Sequence, residues 1–261
     1  MLRKITLVVC AATGLYSVSK AEPWDIELRD VNISGWNCLT KAAGSAKSAP
    51  EAERNLSKNR VPSSNTKPMP LVPKSFLQLV HGFDEQYLRG AWHRGELIAE
   101  QKTKLLQAEK QVVTMTGWLV WVYPGPAEST NCGDPYYHDW HLELLEEPLD
   151  HAPTIGDPTA IICEITPRTE ADLYRQGIRL QDLAAYVRLE NNTAQPTGHP
   201  PHQISVTGLM MWDDAHSSRA EVGPTITGVD AVGLGRPWRR TAWEVHPIWK
   251  VVDLGTTRTK K

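Results

Sequence analysis

Residues Val112–Val122 run Val-Val-Thr-Met-Thr-Gly-Trp-Leu-Val-Trp-Val, an almost unbroken series of β-branched and aromatic side chains with one glycine inside it. Such a run suits a pleated, largely buried strand. A lone glycine within a long strand marks a bulge or a bend. The pattern recurs at Ile204-Ser205-Val206-Thr207-Gly208, and each copy reaches a tryptophan four residues past its glycine, Trp121 and Trp212. Two long strands with a similar bend belong in a strongly curved sheet.

The segments around them complete an order. Asp139–Leu145 alternates polar and apolar residues, and Ala160–Ile165 is a short apolar run that ends before Pro167. Thr169 can cap a helix with Asp172 at the reciprocal position, and apolar residues continue past Gly177 to Val187. Gln203–Trp212 and Thr241–Asp253 read as the last strands. Strand, strand, strand, helix, strand, strand is the order of an OB-fold. The expected fold is therefore mainly β: an OB-like five-stranded barrel with one helical connection, spanning 112–254. A split β-sandwich is the competing arrangement.

The part before the barrel has another texture. Lys41–Pro73 is rich in Ala, Ser, Lys, Asn and Pro and can bury little apolar surface, so an exposed or partly ordered segment is expected. A short helix can start at Pro50 and run to Leu56. Phe76, Leu77, Leu79 and Val80 form an apolar cluster, and Glu96–Gln111 reads as an exposed helix leading into the barrel. Residues 22–111 are thus a loop-rich, partly helical extension, and 255–261 a disordered tail.

At the start, Arg3 and Lys4 precede an apolar run, Ile5–Leu15, and Ser19-Lys20-Ala21 offers small residues where a signal peptidase reads. This is the layout of a secretory signal cut after Ala21, which sends the chain to the periplasm or the extracellular space. Val9 before Cys10 departs from the small residue of a lipobox. The run is too short to span a bilayer, and no later stretch is long enough. Loss of Arg3, Lys4 and Lys20 moves the formal charge from −2 to −5. That balance excludes a protein that coats nucleic acid by bulk charge. Cys38, Cys132 and Cys163 remain; they have no zinc-site spacing, and Cys132 with Cys163 is the expected disulfide because both fall in the barrel.

Period-two alternation sorts the strand residues by face. Trp140, Leu142 and Leu144 point inward, leaving Asp139, His141 and Glu143 outward. Glu164 opposes Cys163 and Ile165, and Glu244 and His246 oppose Trp243 and Val245. Asp139, His141, Glu164, Glu244 and His246 should therefore meet on one outer barrel face. Such a set can bind a divalent metal or share acid–base work, or it can be a solvated face with cross-strand ion pairs. OB-folds also use the loops after their first and fourth strands. Here these hold Glu128, Asn131, Tyr136 and Tyr137, and then Arg236, Trp238, Arg239 and Arg240. Arg168 follows the third strand. Arginine beside an aromatic suits stacking and phosphate pairing. A hydrolase nucleophile elbow, a phosphate-binding glycine loop, a helical zinc motif and a dinucleotide fingerprint are all absent.

The stretches Pro124–Cys132, Asp139–Glu143, Ile162–Arg168 and Trp243–Pro247, with Glu53-Arg54-Asn55 and Lys58-Asn59-Arg60 upstream, resemble a group of uncharacterised exported bacterial proteins with an OB-like domain. The resemblance implies export, a bacterial source and the OB-like fold, and carries no activity with it. Two functions fit these residues. One is an exported binding or interaction module that engages an oligomeric ligand or a protein partner through the loops. The other is a metal-assisted hydrolase, a phosphodiesterase or nuclease, in which the Asp/His/Glu set holds the ion and Arg168, Arg239 or Arg240 stabilises phosphate charge.

Overall fold

The computed structural model describes residues 27–60, 66–148, 159–188, 194–224, 228–229 and 235–256. The signal segment 1–21 and residues 257–261 of the expected tail lie outside them. Four short elements precede the barrel: α1 (Ala49–Lys58), β1 (Met69–Leu71), α2 (Pro73–Phe83) and α3 (Ala99–Ala108). The barrel region holds β2 (Val112–Pro124), β3 (Trp140–Leu145), β4 (Ile161–Ile165), α4 (Pro167–Arg175), α5 (Leu180–Leu183), β5 (Tyr186–Arg188), β6 (Ala194–Pro196), β7 (His202–Trp212), β8 (Gly228–Val229), β9 (Gly235–Arg236) and β10 (Trp243–Thr256).

Five of these strands close on themselves. β2 pairs antiparallel with β3, β3 with β4 and β7 with both β2 and β10, while β4 and β10 pair in parallel at Cys163 and Val245. In chain order of the barrel strands the circuit is 1-2-3-5-4-1, with the α4–α5 connection between the third and fourth. This is the expected OB-like barrel rather than a split sandwich. β5 and β6 extend the sheet beyond β2.

The two glycines serve close approach. A Cβ on Gly117 would lie 2.9 Å from the Leu145 carbonyl oxygen, and one on Gly208 would lie 2.6 Å from Val245 Cγ1 and 2.7 Å from the Pro247 carbonyl oxygen. Pairing of β2 with β7 runs in register through Gly117, and the irregularity lies instead opposite β3, between Leu119 and Trp121. Trp118, Trp121, Trp140, Trp212 and Trp243 are all buried.

The extension shares the barrel's core. β1 pairs in parallel with β2. Phe76, Val80, Leu88, Leu97 and Leu105 join Met115, Leu142, Ile165 and Val245 in one apolar cluster. The Phe76 cluster lies on α2, and α1 starts at Pro50's turn with Ser48 Oγ accepting from the Glu51 N–H. The expectation of an exposed segment does not hold for α1, whose Asn55, Ser57 and Lys58 are buried.

The expected Cys132–Cys163 bridge is not formed. Cys38 bonds Cys132 across 94 residues with Cα atoms 5.9 Å apart, and Cys163 is a buried free thiol inside β4. A residue held in mid-strand with its side chain in the core has no partner within reach, whereas Cys132 sits on a loop that meets the extension. Among the described residues, no helix is long and apolar enough to cross a membrane.

Candidate functional site

The alternation reading brings the right residues together and misjudges their surroundings. His141 lies opposite Glu164 in the β3–β4 ladder, and β10 lies beside β4, so Asp139, His141, Glu164, Glu244 and His246 converge. They are not on an open face. His141 is 7% exposed, Glu164 2%, and the other three 0%. Glu143, from the same face, is buried with its Oε1 accepting from the Tyr123 hydroxyl at 3.0 Å. The first barrel loop and α1 from the extension supply the cover.

Glu164 is the hub. Its Oε1 lies 3.0 Å from His141 Nε2, and its Oε2 lies 2.7 Å from His246 Nδ1. His246 Nδ1 also approaches Glu244 Oε1 at 3.2 Å, while its Nε2 faces Asp139 Oδ2 at 3.8 Å. That last separation is within ion-pair range but too long for a hydrogen bond, and neither atom has another partner. Asp139 Oδ1 accepts from Asn131 Nδ2 at 2.9 Å. The His141 ring stacks on Tyr123, with centroids 4.9 Å apart. A Cβ on Gly125 would lie 2.5 Å from His141 Cε1, so only glycine leaves room there for the imidazole.

Lys58, at the last turn of α1, reaches into this cluster. Its Nζ lies 2.9 Å from Glu128 Oε2, 3.1 Å from Asp213 Oδ2 and 3.8 Å from Glu164 Oε2. Arg239 Nη2 bonds Glu244 Oε2 at 2.8 Å and its Nε donates to the Thr241 carbonyl. Arg54 adds contacts to Asp213 and Asp214 at 3.8 and 3.5 Å. A second buried set clamps the extension to the end of β7. Arg94 pairs with Glu109 and Asp214 and donates to the Trp212 carbonyl, and Ser57 Oγ donates to Glu109 Oε2.

Charges buried this deeply persist only when paired. Burial works against a protonated His246, but the Glu164 charge and the hydrogen bonds it donates to Glu164 and Glu244 outweigh it, and the imidazole is pushed up to about 10. Burial, with added push from Glu128 and Glu164 and against the pull of His246, raises the Asp139 carboxyl to about 6. Burial would raise Glu164 too, yet His141, Lys58 and His246 hold it well below the usual range. Asp213 is held far down by Lys58, His216 and Arg239, also against burial.

These shifts make stability pH-dependent. An imidazole whose ordinary value is about 6.5 and whose folded value is about 10 contributes in full below the first. That contribution is lost as pH rises through the second. Unfolding free energy should therefore fall between roughly pH 6.5 and 10, by up to about 1.4 kcal/mol per unit. Urea unfolding at pH 6.5, 8 and 9.5 measures this, and His246→Gln should flatten the slope. An equal slope in the variant would show that His246 does not carry the effect.

The other expected site residues scatter. Asn131 is fully buried against Asp139 and Glu128 is bound to Lys58. Trp238 and Arg239, expected at a ligand-facing loop, are buried, because the loop is stitched down by Trp238 N–H to Glu221 O and by the Arg239–Glu244 pair. Arg236 is half-buried beside Glu221. Arg240 is exposed at a cavity of about 520 Å³ shared with Asp84, whose carboxyl is raised to about 6 mainly by burial and accepts from Trp243 Nε1. Tyr136 is exposed under Arg29, and Tyr137 stacks on Trp36. Arg168 lines a separate cavity of about 410 Å³ with Lys58, Arg60 and Trp249. Sequence reasoning gave Lys58, Arg54 and Asp213 no role in the site. For Arg54 and Lys58 the signal was the Glu53–Arg60 stretch, which puts these two one turn apart on α1.

Among the described residues, two sets of ligand-type atoms lie close enough for a metal: Glu128, His141 and Glu164, and Asp139, Glu164 and His246. The first already holds the Lys58 ammonium, and both oxygens of the shared Glu164 are engaged by imidazoles. A divalent ion at the first set would have to displace the Lys58 ammonium, and at either set the imidazole facing Glu164 would have to give up its proton. No protein-family model matches the chain, and neither does any curated protein or any solved structure.

Proposed function

We propose that the protein is an exported, non-catalytic binding module, and that its buried acid–histidine cluster joins the extension to the barrel. The observation that carries this is Lys58, whose ammonium occupies the cation position among Glu128, Asp213 and Glu164. A hydrolytic centre needs a substrate path to its acids, and Asp139, Glu164 and Glu244 are buried. A signal-type start, the resemblance to exported bacterial proteins and the Cys38–Cys132 bond all support an oxidising compartment outside the cytoplasm. With Cys132 bonded to Cys38 in the first loop and Trp238 and Arg239 buried at the end of the second, the ligand's place moves to an open cavity beside the start of α4 and β10.

The competing reading, a metal-assisted hydrolase, rests on the two ligand-type clusters. Elemental analysis of the purified protein, with melting curves in Mg²⁺, Mn²⁺ and Zn²⁺, separates the two. Substoichiometric metal and an unchanged melting temperature are expected. A stoichiometric ion that disappears in the Asp139→Ala/His141→Ala variant would overturn the proposal in favour of the hydrolase.

A further inference from the structure

We propose that the cavity between the end of α1, the start of α4 and β10 binds the phosphate monoester group of a small cyclic molecule. This rests on the binding-module reading and names its ligand class.

The cavity has a volume of about 410 Å³, the size of a small-molecule site. One wall is the first turn of α4, a nine-residue helix whose positive end favours an anion. Thr166, the residue before that helix, lines the cavity at 1% exposure, and its buried Oγ1 has no hydrogen-bond partner. A buried hydroxyl left unpaired has lost its water without a replacement, and a ligand oxygen would supply one. Asn59 gives both amide hydrogens to the Ala42 and Thr130 carbonyls, leaving its buried Oδ1 open to accept from a ligand hydroxyl.

Lys58, which also lines the cavity, is paired with Glu128, Asp213 and Glu164, but the two arginines here have no carboxylate of their own. Among the described residues, Arg168 touches the Asn131 amide oxygen at 3.5 Å, the Cys38 carbonyl at 3.3 Å and the Trp36 ring, and none of their carboxylates lies within ion-pair distance. Arg60 spends its guanidinium on the Ser57, Glu109 and Met210 carbonyls. Burial depresses Arg168 against the pull of Asp139, and Arg60 against that of Glu109. The acid on the rim, Asp172, is exposed and already paired with Arg175. Half-buried Trp249, from β10, also lines the cavity, and its ring suits stacking on a flat or cyclic group. An arginine, a hydroxyl and a helix start recognise a phosphate, and the tryptophan adds selectivity for what carries it.

The test is titration of the purified protein at constant ionic strength with orthophosphate, phenyl phosphate, glucose 1-phosphate and chloride, read by tryptophan fluorescence and melting temperature. Both monoesters should bind at least tenfold more tightly than orthophosphate, and chloride should have no effect. Thr166→Val, which removes an unpaired hydroxyl and should leave the fold intact, is expected to weaken binding about tenfold. Arg168→Gln should weaken it further, and Trp249→Leu should erase the preference over orthophosphate. No response to any phosphate in the unaltered protein, or an unchanged affinity in Thr166→Val, would overturn the site. Turnover of phenyl phosphate would instead overturn the non-catalytic reading while leaving the binding site in place.

Discussion

Replacement of Lys58 by methionine should lower the stability of the protein by about 3–5 kcal/mol, because it leaves buried carboxylates without their counter-ion. Methionine keeps much of the side-chain volume, so the loss is electrostatic rather than a cavity. Glu128 is partly exposed and can turn to water, but Asp213 and Glu164 are 0% and 2% exposed and cannot. For a chain of this size the loss corresponds to a fall in melting temperature of roughly 10 °C. Urea unfolding at pH 7 measures it. Adding Glu164→Gln to Lys58→Met tests whether the charges interact, since the pair should then be strongly non-additive. If Lys58→Met were as stable as the parent, the ammonium would not be neutralising the cluster.

The second large effect concerns the disulfide. Cys38 and Cys132 close a loop of 94 residues, for which chain entropy assigns the bond up to about 4–5 kcal/mol. The double variant Cys38→Ser/Cys132→Ser should lose most of that. The parent treated with a reductant should lose the same amount, and the variant should not respond. Peptide mapping without reduction should recover Cys38 joined to Cys132 and Cys163 as an unmodified thiol. A Cys132–Cys163 peptide would refute the pairing.

The strands were legible because their cause is local. The Val112–Val122 run and its echo at Ile204–Gly208 reflect side chains that fit a pleated surface, and the interval between the third and fourth strands held a helix, though its cap is Thr166 and not the expected Thr169, which lies in the first turn. Alternation also placed Asp139, His141, Glu164, Glu244 and His246 on one face. It could not tell water from a polar cover, because both ask for polar residues. The cover comes from α1, whose composition reads as solvent-exposed because its buried side chains are Asn55, Ser57 and Lys58. The loops failed for a related reason: arginine next to tryptophan looks the same whether it faces a ligand or, like Arg239, a buried Glu244. For the disulfide, the needed signal was present. Cys163 alternates with Glu164 and so faces the core, which leaves Cys38 for Cys132.

Lys58 lies outside the barrel in sequence and inside it electrostatically. A barrel that borrows its neutralising charge from a neighbouring segment loses that charge whenever it is recombined or cut out alone. Recombination at Val112 would pass on the acids without their cation. Any lineage that keeps Glu128, Glu164 and Asp213 is therefore under pressure to keep α1 as well, or to change the acids and the helix together.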